Sequence, residues 1–264
     1  MTIIANHVHL MPKTDGDSPE GDADMVIKHM DFCGIDKAVI FAPFARQMDG
    51  DAEKANMWAL EEVEKHKDRF LPAGTLSPIA DDSVSLLDKV YSAGVRLIKI
   101  HPSVDNHDIA DPAAADFYCR AEELGVALDY HTGTHRTRLS YATPYKFDDL
   151  AWDYPELKLV FEHIGGRAYC EMFVATLFNI PDRVFGGVTS ILAGDKNSPW
   201  YIGIEKFQVF VKMVGAEKFI FGMDFPWNPP ECTRDEIKLI QSMDISGEDK
   251  DKILGGNLCD LLKI

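Results

Sequence analysis

The 264-residue sequence predicts an α/β chain folded as a (β/α)8 TIM barrel. Eight short apolar runs recur with starts roughly 31 residues apart, as repeated strand–helix units would over about 250 residues. Several runs are apolar without alternation, as in Ala38-Val39-Ile40-Phe41-Ala42. Strands covered on both faces of a parallel sheet have that character. The segments between the runs carry helix start and stop signals. The expected organisation is a single barrel domain over 1–264, ending in a helical tail.

The strands are expected at Thr2–His9, Lys37–Ala42, Leu71–Leu76, Val95–His101, Val126–His131, Lys158–His163, Val184–Thr189 and Phe219–Asp224. Thr14–Asp24 is polar and Gly-rich, and is expected as a long loop after the first strand. From Asp82 to Gly94, Leu86, Leu87 and Val90 share a helical stripe that ends at glycine. Asp111-Pro112 reads as an N-cap with Pro at the first helical position; Phe117, Ala121 and Leu124 follow on one face, and Gly125 stops the helix. Thr233-Arg234-Asp235-Glu236 reads as a capping box before Ile237 and Ile240. Ser246 to Ile264 is expected as two short helices split at Gly255-Gly256. The competing fold, a doubly wound open sheet, usually places a Gly-rich phosphate turn after its first strand. Here that strand runs into His7-Val8-His9-Leu10-Met11-Pro12, and neither a Walker motif nor a GxSxG elbow occurs.

Composition narrows the function classes. A formal charge of −16 repels phosphate backbones, so nucleic acid is not an expected partner. No apolar run approaches the ~20 residues of a membrane span. The first residues lack the basic and apolar regions of a signal peptide. Five cysteines (Cys33, Cys119, Cys170, Cys232 and Cys259) show no CxxC spacing. Their odd number argues against a disulfide framework and for a reducing cytosol, so the expected location is cytoplasmic. A homodimer is compatible with the sequence.

Barrel enzymes carry their chemistry at the C-terminal ends of strands. Strand one ends with His7 and His9, two apart and therefore on one side. Strand four ends with Lys99 and His101, strand five with His131, strand six with His163 and strand eight with Asp224. One strand-end histidine is more often structural. Several histidines converging with a carboxylate on one barrel mouth make a metal site.

The elements His7-Val8-His9, His131-Thr132-Gly133, His163-Ile164-Gly165-Gly166, Gly222-Met223-Asp224-Phe225-Pro226-Trp227 and Ile253-Leu254-Gly255-Gly256-Asn257-Leu258 resemble the amidohydrolase superfamily over the whole chain. The resemblance is closest to the single-metal branch with aminocarboxymuconate semialdehyde decarboxylase and dicarboxylate lactonases. It implies one divalent metal, zinc first and manganese second, held by His7, His9, His131 and Asp224. It also implies a catalytic or near-metal role for His163. In binuclear relatives a strand-four lysine can bridge two metals; here Lys99 is expected instead as a cation in the site floor. His101 is expected to line the pocket or cap the next helix. One departure stands out: the family commonly has Asp two residues before the first metal histidine, where this chain has Ala5. That Asp is not a ligand, but its loss changes the support around the ligands.

A catalytic zinc keeps one coordination position for water, whose pKa falls to about 7. Asp224 is expected to take that water's proton and return it to the leaving group. His163 is expected to help polarise the substrate carbonyl. Substrate contacts are expected from Arg46, His135, Arg136 and Trp227, the cations suiting a small-molecule carboxylate. Arg138 and Phe44 are further candidates. The resulting expectation is a hydrolase of a small ester, lactone or amide. The alternative is a non-oxidative decarboxylase, which needs a cation for the departing carboxylate and usually a longer chain with inserted loops. The compact chain favours the hydrolase. A barrel with a vestigial site is the third reading, supported only by Ala5.

Overall fold

Strand β1 (Ile4–His9) is followed by α1 (Ala23–Cys33), β2 (Lys37–Phe41), α2 (Ala52–Lys65), β3 (Phe70–Pro72), β4 (Gly74–Thr75), α3 (Ser83–Ser92), β5 (Leu97–Ile100), α4 (Pro102–Asp105) and α5 (Ala115–Leu124). The second half of the chain adds β6 (Ala127–His131), α6 (Pro144–Asp153), β7 (Lys158–Glu162), α7 (Gly166–Asn179), β8 (Val184–Val188), α8 (Ile204–Val214), β9 (Phe219–Phe225), α9 (Pro230–Ser242), α10 (Gly247–Asp251) and α11 (Asn257–Leu262). These elements come from a computed structural model that describes residues 2–12 and 21–264.

The strand pairings are all parallel, in the order β3-β2-β1-β9-β8-β7-β6-β5-β4. Segments β3 and β4 are one stretch of chain broken at Ala73. Its first half pairs with β2 and its second with β5. The ring therefore closes into eight strand positions, the (β/α)8 barrel that the spacing predicts.

Two apolar layers hold the barrel. Inside, Ile4, Val39, Leu97, Ala127, Val160 and Ile220 pack together, and Leu258, Leu261 and Leu262 of α11 close the bottom. Outside, the helices bury stripes against the sheet, such as Leu86, Leu87 and Val90 on α3. Inward-facing positions alternate along each strand. One step above Leu97, Ala127 and Val160 come Lys99, Asp129 and Glu162, all fully buried. The barrel interior thus passes from an apolar floor to a charged layer beneath its mouth.

Local signals explain most element ends. Asp111 accepts from the Ala113 N–H at 3.0 Å, and Gly125 closes α5 in the left-handed conformation at φ 65°. The tail does split at Gly255 and Gly256, between α10 and α11. All five cysteines are free thiols. Two expectations need correction. Asp22 caps α1 by accepting from the Met25 N–H at 3.0 Å, so the helix begins before Asp24. The rest of the expected Thr14–Asp24 loop, up to residue 20, lies outside the described residues. Thr233 is not an N-cap: α9 already starts at Pro230, whose fixed φ suits a first turn. Thr233 is instead buried one turn in, with its hydroxyl 2.9 Å from Nε2 of His29. No described helix is long and apolar enough to cross a membrane.

Candidate metal centre

A cavity of about 300 Å³ opens at the C-terminal ends of the strands. Its polar lining is His7, His9, His101, His131, His163 and Asp224, with Arg46 and His135 nearer the rim. Phe44, Trp200 and Trp227 supply aromatic walls. The barrel thus brings strand ends far apart in sequence to one point.

β1 reaches the site through an irregularity. Its register against β2 shifts between Ala5 and Val8, and His7 has φ 62°. His7 Nε2 and His9 Nε2 lie 3.2 Å apart, and Asp224 Oδ1 is 3.4 Å from His7 Nε2. One ligand atom from each of these three residues falls within 4.8 Å of the others, so together they could hold a metal ion. Two facing imidazole nitrogens beside a carboxylate oxygen suit a divalent cation. His163, Ser190 and Asp224 also adopt positive φ, at 63°, 57° and 54°. For such residues this conformation costs on the order of 1–3 kcal/mol each, a load tolerated where the surroundings over-determine it.

His131 stands outside that three-residue group. Its Nε2 lies 3.2 Å from Nδ1 of His135, and its ring stacks on His101 with centroids 4.0 Å apart. His101, His131 and His135 form a second group that could hold an ion. His131 nevertheless lines the same cavity as the first group, with its ring centroid 4.9 Å from that of His163. His101 fulfils both of its expected roles: it lines the cavity, and its Nδ1 accepts from the Val104 N–H at 3.3 Å.

His163 is oriented by Thr189, whose carbonyl lies 2.8 Å from Nδ1. That contact requires the proton on Nδ1, leaving Nε2 as an acceptor in the neutral ring. Burial lowers the pKa of His163 and keeps it neutral. It stabilises a developing oxyanion only after taking up a proton. Ser190 Oγ donates to Asp224 Oδ2 at 3.0 Å, so Oδ1 is the oxygen turned to the histidines.

Beneath the cavity lies a buried charge network. Lys99 donates to Asp129 Oδ1 at 2.9 Å. Asn6 Nδ2 donates to Asp129 Oδ2 and to Glu162 Oε1, each at 2.7 Å. Glu162 Oε2 lies 3.3 Å from His7 Nδ1 and accepts from Thr189 Oγ1 at 2.7 Å. Burial pushes the Asp129 carboxyl up to about 7 against the attraction of Lys99, and repulsion from Glu162 adds to the rise. Burial opposes ionisation of Glu162 too, but His7 and Lys99 outweigh it and hold that carboxyl well below its usual range. Burial and Lys99 oppose a charge on His7, yet Glu162 and Asp224 raise it to about 9. Ala5 is fully buried. Polar support for His7 therefore comes from Glu162 and Asp129 across the barrel.

Of the four candidate substrate contacts, Arg46, His135 and Trp227 line the cavity. Arg136 is exposed and outside the lining, and Arg138 lies over the ring of Tyr141 instead. Sequence reasoning missed Asn6, Asp129, Glu162, Thr189, Ser190 and Trp200. The first three had a readable signal: a polar or charged residue interrupting a strand buried on both faces is costly unless partnered. Thr189, Ser190 and Trp200 lie at a strand end and in the loop after it, where only the fold brings them inward.

Residues 4–263 match the family model described as Amidohydrolase. A search of curated proteins found no match. Among solved structures, 5-carboxyvanillate decarboxylase from Sphingomonas paucimobilis is similar at TM-score 0.73 and 15% identity, covering 100% of this chain and 99% of that one. A dihydroxybenzoic acid decarboxylase from Polaromonas, with bound manganese and an inhibitor, has TM-score 0.71 and 17% identity over 99% and 97% of the chains. A probable 2-pyrone-4,6-dicarboxylic acid hydrolase from Acinetobacter baumannii, with citric acid bound, has TM-score 0.68 and 17% identity over 100% of both.

Proposed function

The chain belongs to the amidohydrolase family, and from that premise we propose that it is a metal-dependent hydrolase of a small ester, lactone or amide. One observation carries the reading: His7 Nε2, His9 Nε2 and Asp224 Oδ1 converge at the base of an aromatic-walled cavity. His131, on the same cavity, is the proposed fourth ligand. A divalent metal there, zinc or manganese, would supply Lewis acidity and an acidified water.

The chain's own residues supply the remaining parts. Asp224, held at Oδ2 by Ser190, would turn Oδ1 to the metal, and its carboxylate would take the nucleophile's proton and return it to the leaving group. His163, fixed by Thr189, offers Nε2 as a second proton acceptor. Glu162 accepts from His7 Nδ1 and so directs Nε2 to the cavity, where a metal would take the place of its proton. Phe44, Trp200 and Trp227 wall the cavity, while Arg46 at the rim suits a substrate carboxylate.

The aromatic walls favour one second reading, decarboxylation of a small aromatic acid. The same residues would serve it, with Asp224 delivering a proton to the ring carbon. Zinc-loaded protein assayed on esters, lactones, amides and aromatic acids separates the two. Acid release without carbon dioxide supports the hydrolase, and carbon dioxide release contradicts it.

A further inference from the structure

Glu236 is a fully buried carboxylate on α9 that the chemistry above does not use. It lies outside the cavity, behind the loop that follows β8. Three backbone N–H groups of that loop point at it. Leu192 donates to Oε1 at 2.7 Å and Ala193 at 3.4 Å, while Ser190 donates to Oε2 at 3.3 Å. The left-handed backbone of Ser190 helps turn these successive N–H groups to one side, as in an anion-binding nest. The nest is filled from within the protein.

The same short segment makes two contacts to the site. The Thr189 carbonyl fixes His163, and Ser190 Oγ holds Asp224 Oδ2. Helix α9 is itself tied down through Thr233, which contacts His29 of α1. Burial pushes Glu236 up to about 7 even though the backbone N–H groups favour its charge. A buried acid is an expensive way to satisfy three amides that water could reach in an ordinary loop.

The structure assigns Glu236 a positioning role: its carboxylate clamps residues 190–193 so that Ser190 presents its hydroxyl to Asp224. This rests on the reading of Asp224 as a metal ligand. A residue that merely satisfied the loop would stabilise the fold without reaching Asp224. A clamp must act through Ser190, so removing either member should remove the same effect.

The test uses the full chain as wild type, Ser190→Ala, Glu236→Gln and the double variant. Zinc affinity is measured by chelator competition, and amide exchange of Leu192 by NMR. Each single change is expected to weaken zinc binding about tenfold, within the range for groups that orient ligands from behind. The double variant is expected to lose no more than the weaker single. Leu192 exchange should accelerate in Glu236→Gln and not in Ser190→Ala. Multiplying losses, reaching about a hundredfold in the double variant, would overturn the proposal. Wild-type zinc affinity in Ser190→Ala would overturn it too, and decides the matter if Glu236→Gln fails to fold. If the wild type binds no zinc, the metal reading of Asp224 fails on its own. Unchanged Leu192 exchange in Glu236→Gln would then remove the clamp as well.

Discussion

Glu162 supports His7 from beneath the cavity, with Oε2 3.3 Å from Nδ1. Carboxylate support of this kind fixes the tautomer and raises the basicity of a metal-binding imidazole. Glu162→Gln keeps the shape but loses the charge. It should weaken zinc binding by about 10–100-fold while the chain stays folded. Competition with a chelator at pH 7.5 reads this, and wild-type affinity in the variant would show that Glu162 does not support the site.

Gly187 makes room for that carboxylate. It is the register partner of Glu162 across β7 and β8. A Cβ at this position would lie 2.8 Å from the Glu162 Cα and run into its carboxylate. Gly187→Ala should therefore cost about 1–3 kcal/mol of stability and weaken zinc binding in parallel. Urea denaturation with and without zinc checks both. A variant as stable and as zinc-avid as the wild type would rule out the crowding.

Most of the barrel was legible because its cause is local: strand runs, helix stripes and glycine stops repeat along the chain. His7, His9, His163 and Asp224 were legible because they stand at strand ends and match a family pattern. The network under them was not. Lys99, Asp129 and Glu162 belong to three strands, and only barrel closure and register make them neighbours. The start of α9 was misplaced because Thr233 and Glu236 mimic a capping box. Their side chains are instead taken by His29 and by the loop after β8.

His107 is buried, and neither ring nitrogen has a hydrogen-bond partner among the described residues. Burial lowers its pKa to about 4, against the attraction of Asp111 and Asp108. The unfolded chain then binds the extra proton between pH 6.5 and about 4, so this contribution to stability is lost as pH falls through that window. His107→Leu removes both the unpartnered polar group and the titration. Relative to wild type it should gain about 2 kcal/mol more at pH 5 than at pH 7. Urea midpoints at the two pH values test this, and an equal change at both would refute the linkage.

Arg46 lines the rim of the cavity, with its guanidinium 5.6 Å from the Phe44 ring centroid. If it binds a substrate carboxylate in ground and transition states alike, Arg46→Met should raise KM about tenfold and leave kcat within about twofold. Neutral analogues should show no such change. An equal loss on charged and neutral substrates would assign Arg46 to structure rather than recognition.

The central claim is that His7, His9, His131 and Asp224 hold one divalent metal at the barrel mouth. Metal content per chain after reconstitution with zinc and gel filtration, measured by mass spectrometry, tests it most directly. The prediction is one zinc per chain in the wild type and well under half that in His9→Ala, His131→Ala and Asp224→Ala, with His135→Ala unchanged. Two zinc ions per chain, or one that survives in Asp224→Ala and disappears in His135→Ala, would place the metal in the His101, His131 and His135 group and contradict the account.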